Sequence, residues 1–190
     1  YERGRTLQQY IQAKQGMLPE RFVRYVFTEL LNGLRDVHAK RLLHLDIKQA
    51  NIFIRNDGSP VLLDFGAARQ ILQTTSTIQA PMYTPGFAAV EQYKEADSAQ
   101  LGPWTDIYGL AATLYRLISG RLPPTAQQRL EAVSQGLSDP LVKLETATAY
   151  DLPKAWLEGI HRGLNLQANQ RPQSIAEWSK AFGNVAPSSR

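Results

Sequence analysis

Asn56-Asp57-Gly58 separates two short apolar runs, Ile52-Phe53-Ile54 and Val61-Leu62-Leu63, in a chain whose other apolar residues recur at helical spacing. Asx residues and glycine accept left-handed backbone at little cost, so the tripeptide predicts the tight turn of a β-hairpin. Two strands this short are marginal alone, and the hairpin must therefore lie on helices. Upstream, Phe22, Val23, Val26, Leu30, Leu34 and Val37 recur at three- and four-residue steps, which predicts an amphipathic helix from Pro19 to about Ala39. Pro19 suits a first helical position, where its missing N–H costs nothing.

The remaining chain is read in the same way. Residues 6–15 predict a short helix ended near Gly16. Residues 70–86 are polar, threonine-rich and broken by prolines, which predicts a loop long enough to need a purpose. Thr105 is the expected N-cap of a second strong helix to Ser119, with Ile107, Leu110, Ala111, Leu114 and Ile118 as its buried stripe. Gly120 and Pro123 end it. Further helices are expected near 125–135, 153–163 and 174–182, and residues 184–190 read as the start of a linker or tail. The fold class is mainly α with one small β-hairpin.

At 190 residues, 43% hydrophobic and 20% charged, the chain suits one globular domain with a proper core. No apolar run is long enough to span a bilayer. The sequence starts at Tyr1 with no signal-peptide pattern, so it is expected to be cut from a longer protein. Cysteine is absent, which excludes disulfides and thiolate metal sites and agrees with an expected cytoplasmic location. The net charge of +4 comes from scattered basic residues, so a nucleic-acid partner is not expected and an acidic small ligand is the better use of any local excess.

His44-Leu45-Asp46-Ile47-Lys48-Gln49-Ala50-Asn51 stands just before the first strand, and Asp64-Phe65-Gly66 just after the second. The hairpin brings the two segments together, so Asp46, Lys48, Asn51 and Asp64 are expected to converge. Two carboxylates, an amide oxygen and an ammonium suit a magnesium-bound polyphosphate. A carboxylate there can accept a hydroxyl proton, and a lysine can offset charge on a phosphoryl group in transfer.

These residues resemble the catalytic loop and metal loop of eukaryotic-type serine/threonine protein kinases. Thr84-Pro85-Gly86-Phe87-Ala88-Ala89-Val90-Glu91 is similar to the end of that family's activation segment, with Ala-Val-Glu where Ala-Pro-Glu is usual. Asp106 and Arg171 stand where the family has a buried helix aspartate and a late arginine. The phrasing DIYGLAATLYRLISGRLP looks most like bacterial members. The resemblance implies that residues 1–183 form the large C-terminal lobe of the α+β kinase fold, with the small N-terminal lobe absent. It implies ATP with magnesium or manganese as cofactors and a protein bearing Ser or Thr as substrate. Self-association with another kinase copy is left open.

Carried over by position, the resemblance makes Asp46 the acceptor of the substrate hydroxyl proton and Lys48 a contact of the transferring phosphate. Asn51 and Asp64 would hold the metal, Phe53 would lie under adenine, and the backbone near Glu2 would end the hinge. Thr84 would bridge Asp46 and Lys48. His44, Asp106 and the pair Glu91–Arg171 would be structural. Phe53 is equally readable as core, and His38 and His161 read as ordinary helix residues.

Two departures matter. Leu45 replaces the arginine that usually precedes the catalytic aspartate and receives a loop phosphate, so the catalytic loop is expected to be arranged without phosphorylation. Thr74, Thr75, Ser76 and Thr77 nevertheless remain candidate phosphoacceptors. No glycine-rich loop, strand lysine or partner glutamate precedes Tyr1, and this span alone is expected to be inactive. The alternative to an enzyme is a pseudokinase or kinase-like scaffold that docks protein partners.

Overall fold

The computed structural model describes residues 3–14, 18–65, 69–70, 84–93 and 100–183. Strand β1 (Gly4–Thr6) leads into α1 (Leu7–Ala13), then α2 (Glu20–Ala39), β2 (Leu42–Leu43), β3 (Ile52–Arg55), β4 (Pro60–Leu62) and β5 (Arg69–Gln70). Helices α3 (Pro103–Ser119), α4 (Ala126–Ser134), α5 (Leu144–Ala147), α6 (Lys154–Gly163) and α7 (Ile175–Ser179) follow. Short 3₁₀ turns occupy Gln49–Asn51, Val90–Tyr93, Ala168–Gln170 and Lys180–Phe182. Among the described residues no helix is long and apolar enough to cross a membrane.

The hairpin forms as its turn chemistry dictates. Gly58 takes φ 86°, and Asp57 Oδ1 accepts from the Ser59 N–H and hydroxyl at 2.9 and 2.7 Å. It is also one strand larger than its sequence suggests. β1 pairs antiparallel with β3, Gly4 opposite Arg55 and Thr6 opposite Phe53, giving the order β1-β3-β4. Gly4-Arg5-Thr6 carries no alternating apolar pattern, so nothing local marks it as a strand. Only glycine fits at position 4, because a Cβ there would run into the Ile54 carbonyl and the Phe53 ring. Gln70, expected in a loop, pairs with Leu42 across β2 and β5.

Helix ends show where local signals hold. Thr6 caps α1 with a reciprocal box: its Oγ1 accepts from the Gln9 N–H (3.2 Å), while Gln9 Oε1 accepts from the Thr6 N–H (3.0 Å). Pro19 is the N-cap of α2 rather than its first helical residue. Helix α3 begins two residues before the expected cap, with Gly102 as N-cap and Pro103 in the first turn. Proline is preorganised for that place and has no N–H to leave unpaired. Thr105 therefore sits inside the helix, accepting from the Gly102 N–H at 3.2 Å. At the other end Gly120 adopts φ 69° and donates to the Arg116 carbonyl at 2.9 Å, the expected stop.

Helix α3 is the central element, and Ile107, Tyr108, Leu110, Ala111, Leu114, Tyr115 and Ile118 are all buried. Apolarity on every side marks a helix enclosed by others. Helix α6 crosses it closely at Gly163, where a Cβ would approach Ala111 Cβ to 2.8 Å. Beside this contact Phe27 packs edge-on against Trp178 and Phe182, with centroids 5.5 and 4.8 Å apart. That aromatic cluster ties α2 to the C-terminal helices. In the small sheet, β3 packs on α1 and β4 on α2.

Candidate active site

The segment His44–Asn51 is held from below by one carboxylate. Asp106, near the start of α3, is 1% exposed. Its Oδ1 accepts from the Leu45 N–H at 2.7 Å and its Oδ2 from the His44 N–H at 2.9 Å. Those bonds hold Leu45 at φ 65°, a left-handed conformation that costs a leucine about 1–2 kcal/mol. Two charge-assisted bonds to a buried acceptor can offset that strain. His38, at the end of α2, brings Nε2 within 2.8 Å of the same Oδ2. Nothing local marks His38 for this contact, because its partner lies 68 positions away.

His44 is fully buried and packed, as a core residue. Its Nε2 lies 2.8 Å from the Leu63 carbonyl, its Nδ1 accepts from the Asp46 N–H at 3.3 Å, and its ring meets Phe65 edge-on at 4.7 Å. It thus joins the loop before β3 to the loop after β4.

Above this base four side chains meet. Lys48 Nζ lies 2.9 Å from Asp46 Oδ2 and donates to Thr84 Oγ1 at 2.8 Å. The Thr84 hydroxyl donates to Asp46 Oδ1 at 3.0 Å. Asn51 Nδ2 donates to both Oδ2 and the backbone carbonyl of Asp46, each at 2.9 Å. Asp46 therefore carries an ammonium, a hydroxyl and an amide, and a carboxylate with about four lone-pair directions can still accept one more donor. The Asp46 and Lys48 side chains are 17% and 22% exposed. That leaves them reachable by a substrate while partly shielded from water.

Asp64 lies at φ 60° and is exposed. The preceding Leu63 N–H donates to the Asn51 carbonyl at 2.8 Å, so Asp64 is one residue from a backbone contact with Asn51. Both amide hydrogens of Asn51 go to Asp46, and its side chain can present only Oδ1 to a cation. Among the described residues no group of three or more His, Asp or Glu could enclose a metal ion. One amide oxygen and one exposed carboxylate suit a hard cation that keeps its waters and shares substrate phosphates. In that respect the residues fit magnesium.

Phe53 is partly buried in the middle strand, its ring against Gly4. Glu2, Gly66 and the candidate phosphoacceptors Thr74, Thr75, Ser76 and Thr77 lie outside the described residues. Glu91, Arg171 and Thr105 form a buried cluster. Arg171 donates to Glu91 Oε1 and Oε2 at 2.6 and 2.9 Å, and the Thr105 hydroxyl donates to Oε1 at 2.9 Å. The arginine's other donors reach the carbonyls of Asn165, Leu166 and Trp104.

A second buried arginine was invisible in the sequence. Arg129 is 3% exposed and grips Asp139 through Nε and Nη2, while its Nη1 reaches the Leu164 carbonyl and the Tyr108 hydroxyl. It closes the connection after α4 rather than taking part in the site. Gln92 was also missed. It bridges the Leu45 carbonyl and the Ala89 N–H, both at 2.9 Å.

A family model described as protein kinase domain matches residues 1–181. Serine/threonine-protein kinase F of Synechocystis is 34% identical over 164 residues, covering 78% of this chain and 32% of that protein. Serine/threonine-protein kinase PknA of Nostoc is 37% identical over 113 residues, 58% of this chain and 20% of its own length. Serine/threonine-protein kinase PknL of Mycobacterium tuberculosis is 28% identical over 191 residues, 92% of this chain and 47% of its own. The chain thus spans from about a fifth to about half the length of these curated relatives.

Proposed function

The chain belongs to the protein kinase domain family, and from that premise we propose that it is the large lobe of a serine/threonine kinase that transfers phosphate from ATP to protein hydroxyls. The observation that carries this reading is the closed set of contacts among Asp46, Lys48, Asn51 and Thr84. Their arrangement supplies the positions that phosphoryl transfer needs, since such catalysis is mostly placement and charge compensation.

In this reading a substrate Ser or Thr hydroxyl donates to the remaining acceptor position of Asp46, which orients it and takes its proton. As it does so, the hydroxyl oxygen bonds to the γ-phosphorus of ATP, while the bond from that phosphorus to the β–γ bridging oxygen breaks and ADP leaves. Lys48 pairs with Asp46 and would lie beside the phosphoryl group in transfer, so its charge serves both. Thr84 holds Asp46 and Lys48 at a fixed separation. The Asn51 oxygen and the Asp64 carboxylate would hold magnesium or manganese, whose charge, when bound, offsets that of the phosphates. Phe53, in the middle strand, would meet the adenine. A scaffold without chemistry has no need of Asp46, Lys48, Asn51 and Asp64 together, which favours the enzyme over the pseudokinase alternative.

Leu45 sharpens the reading. Its side chain cannot pair with a phosphate, and its backbone is already held by Asp106. We therefore assign the catalytic loop a shape independent of loop phosphorylation.

The test is magnesium-dependent transfer from ATP to Ser/Thr peptides by the complete protein, beside its Asp46→Asn and Asp64→Asn variants. Transfer by the parent and loss of about a thousandfold or more in both variants is expected. A parent that binds protein partners and transfers no phosphate would leave the scaffold reading in its place.

A further inference from the structure

Every backbone group around Leu45 and Asp46 is tied, and the ties come from three different parts of the chain. The Leu45 N–H is held by Asp106 of α3. The peptide between Leu45 and Asp46 is held at both ends, its N–H by His44 Nδ1 at 3.3 Å and its carbonyl by Gln92 Nε2 at 2.9 Å. Rotation of that one peptide plane would swing the Asp46 side chain out of place, so whatever holds its carbonyl helps to set the aspartate.

Gln92 is well suited to this. Its Oε1 accepts from the Ala89 N–H at 2.9 Å, so one side-chain amide spans two segments. Ala89 belongs to the stretch from Thr84 to Glu91, whose first residue bonds both Asp46 and Lys48. Gln92 itself directly follows Glu91, which Arg171 and Thr105 fix in the core. The amide therefore closes a ring from Asp46 through Thr84 and Ala89 to Leu45 and back. It lies in the wall of a small cavity behind the catalytic loop, together with Leu45, Asp46, Thr84 and Asp106.

Resting on the kinase reading, we propose that Gln92 is a positioning residue that locks the catalytic loop to the substrate-facing segment, a permanent tie where Leu45 cannot offer a phosphate-dependent one. Its role needs a donor toward Leu45 and an acceptor toward Ala89. A neutral glutamic acid can supply both and an ionised glutamate cannot, because it would set a negative oxygen against the Leu45 carbonyl.

The complete protein and its Gln92→Glu and Gln92→Met variants are compared in peptide phosphorylation from pH 8 to pH 5, approaching the ordinary titration range of a glutamic acid, with amide hydrogen exchange across residues 43–48 and at Ala89. At pH 8 both variants are expected to lose kcat by about tenfold, some 1.4 kcal/mol in the barrier, with KM for ATP little changed. As the pH falls, the activity of Gln92→Glu relative to the parent should recover, while that of Gln92→Met should not. A merely structural role would give no such recovery. Exchange at Ala89 and in 43–48 should rise in Gln92→Met. Equal kcat in parent and both variants, or a pH-independent deficit in Gln92→Glu, would overturn the proposal. A parent without phosphotransfer refutes the kinase reading instead, and exchange then decides Gln92 on its own: unchanged protection in Gln92→Met would sink it.

Discussion

Arg171 grips Glu91 through two parallel hydrogen bonds of 2.6 and 2.9 Å, and their side chains are 0% and 5% exposed. The pair joins the end of the stretch from Thr84 to Glu91 to the turn before α7, 80 positions away in sequence. Buried ion pairs contribute little net stability, yet removing one partner leaves the other charged and unpaired. Arg171→Leu is therefore expected to destabilise the domain by about 3–5 kcal/mol. Glu91→Gln should cost less, since an amide can still accept from the guanidinium. Chemical denaturation of both variants checks the order; equal losses would show that burial rather than charge dominates.

Thr84 touches Asp46 and Lys48 with a single hydroxyl. Thr84→Ser retains that oxygen and is expected to keep most of the activity. Thr84→Val matches the shape without the hydroxyl and should lower kcat about tenfold to a hundredfold, the scale of one or two hydrogen bonds to charged groups. Steady-state kinetics on the complete protein, with melting temperatures as a control for folding, separates the two. A valine variant as active as the parent would remove Thr84 from the site.

His161 gives the domain a pH dependence on its acid side. Its Nε2 accepts from the Leu144 N–H at 3.0 Å at the start of α5, so it acts as the neutral ring. Burial pushes its pKa below the ordinary 6.5, although nearby Glu145 pulls upward. The unfolded chain therefore binds the proton more readily than the folded one. The stabilisation is fully present above about pH 6.5 and is lost as pH falls through the lowered folded value. The melting temperature of the parent should fall relative to His161→Gln between pH 7.5 and pH 5, because glutamine accepts the same N–H without titrating. A gap that stays constant with pH would contradict this.

Gly4 lies where a side chain would meet the Ile54 carbonyl and the Phe53 ring. A clash with backbone cannot be relieved by a rotamer change, so Gly4→Ala should cost about 1–3 kcal/mol, the usual scale of overpacking. Because β1 flanks Phe53 in β3, the same change should raise the KM for ATP. Loss of stability with an unchanged KM would place Phe53 in the core alone.

What the sequence showed of the site and what it missed divide by distance along the chain. Asp46, Lys48 and Asn51 fall within six residues, and a short loop imposes most of their mutual geometry. Thr84 lies 36 positions from Lys48, and its place came through the family resemblance rather than from any local rule. His38 and Gln92 follow no pattern that a single sequence displays. Each is an ordinary residue on a helix or turn, given a purpose only by what packs beside it.

The sequence by itself determined the elements whose signals are local: α2 and α3 through apolar spacing, the β3–β4 hairpin through Asn56-Asp57-Gly58, and the end of α3 through Gly120. Only the tertiary structure decided that Gly4–Thr6 is a strand, that Asp106 holds the backbone at Leu45 in a strained form, and that Arg129 reaches Asp139 and the Leu164 carbonyl. The physical reason is common to all three. Local conformation follows from near-neighbour sterics and hydrogen bonding, whereas a strand edge, a buried carboxylate or a buried guanidinium is satisfied only with a partner that folding brings from far along the chain.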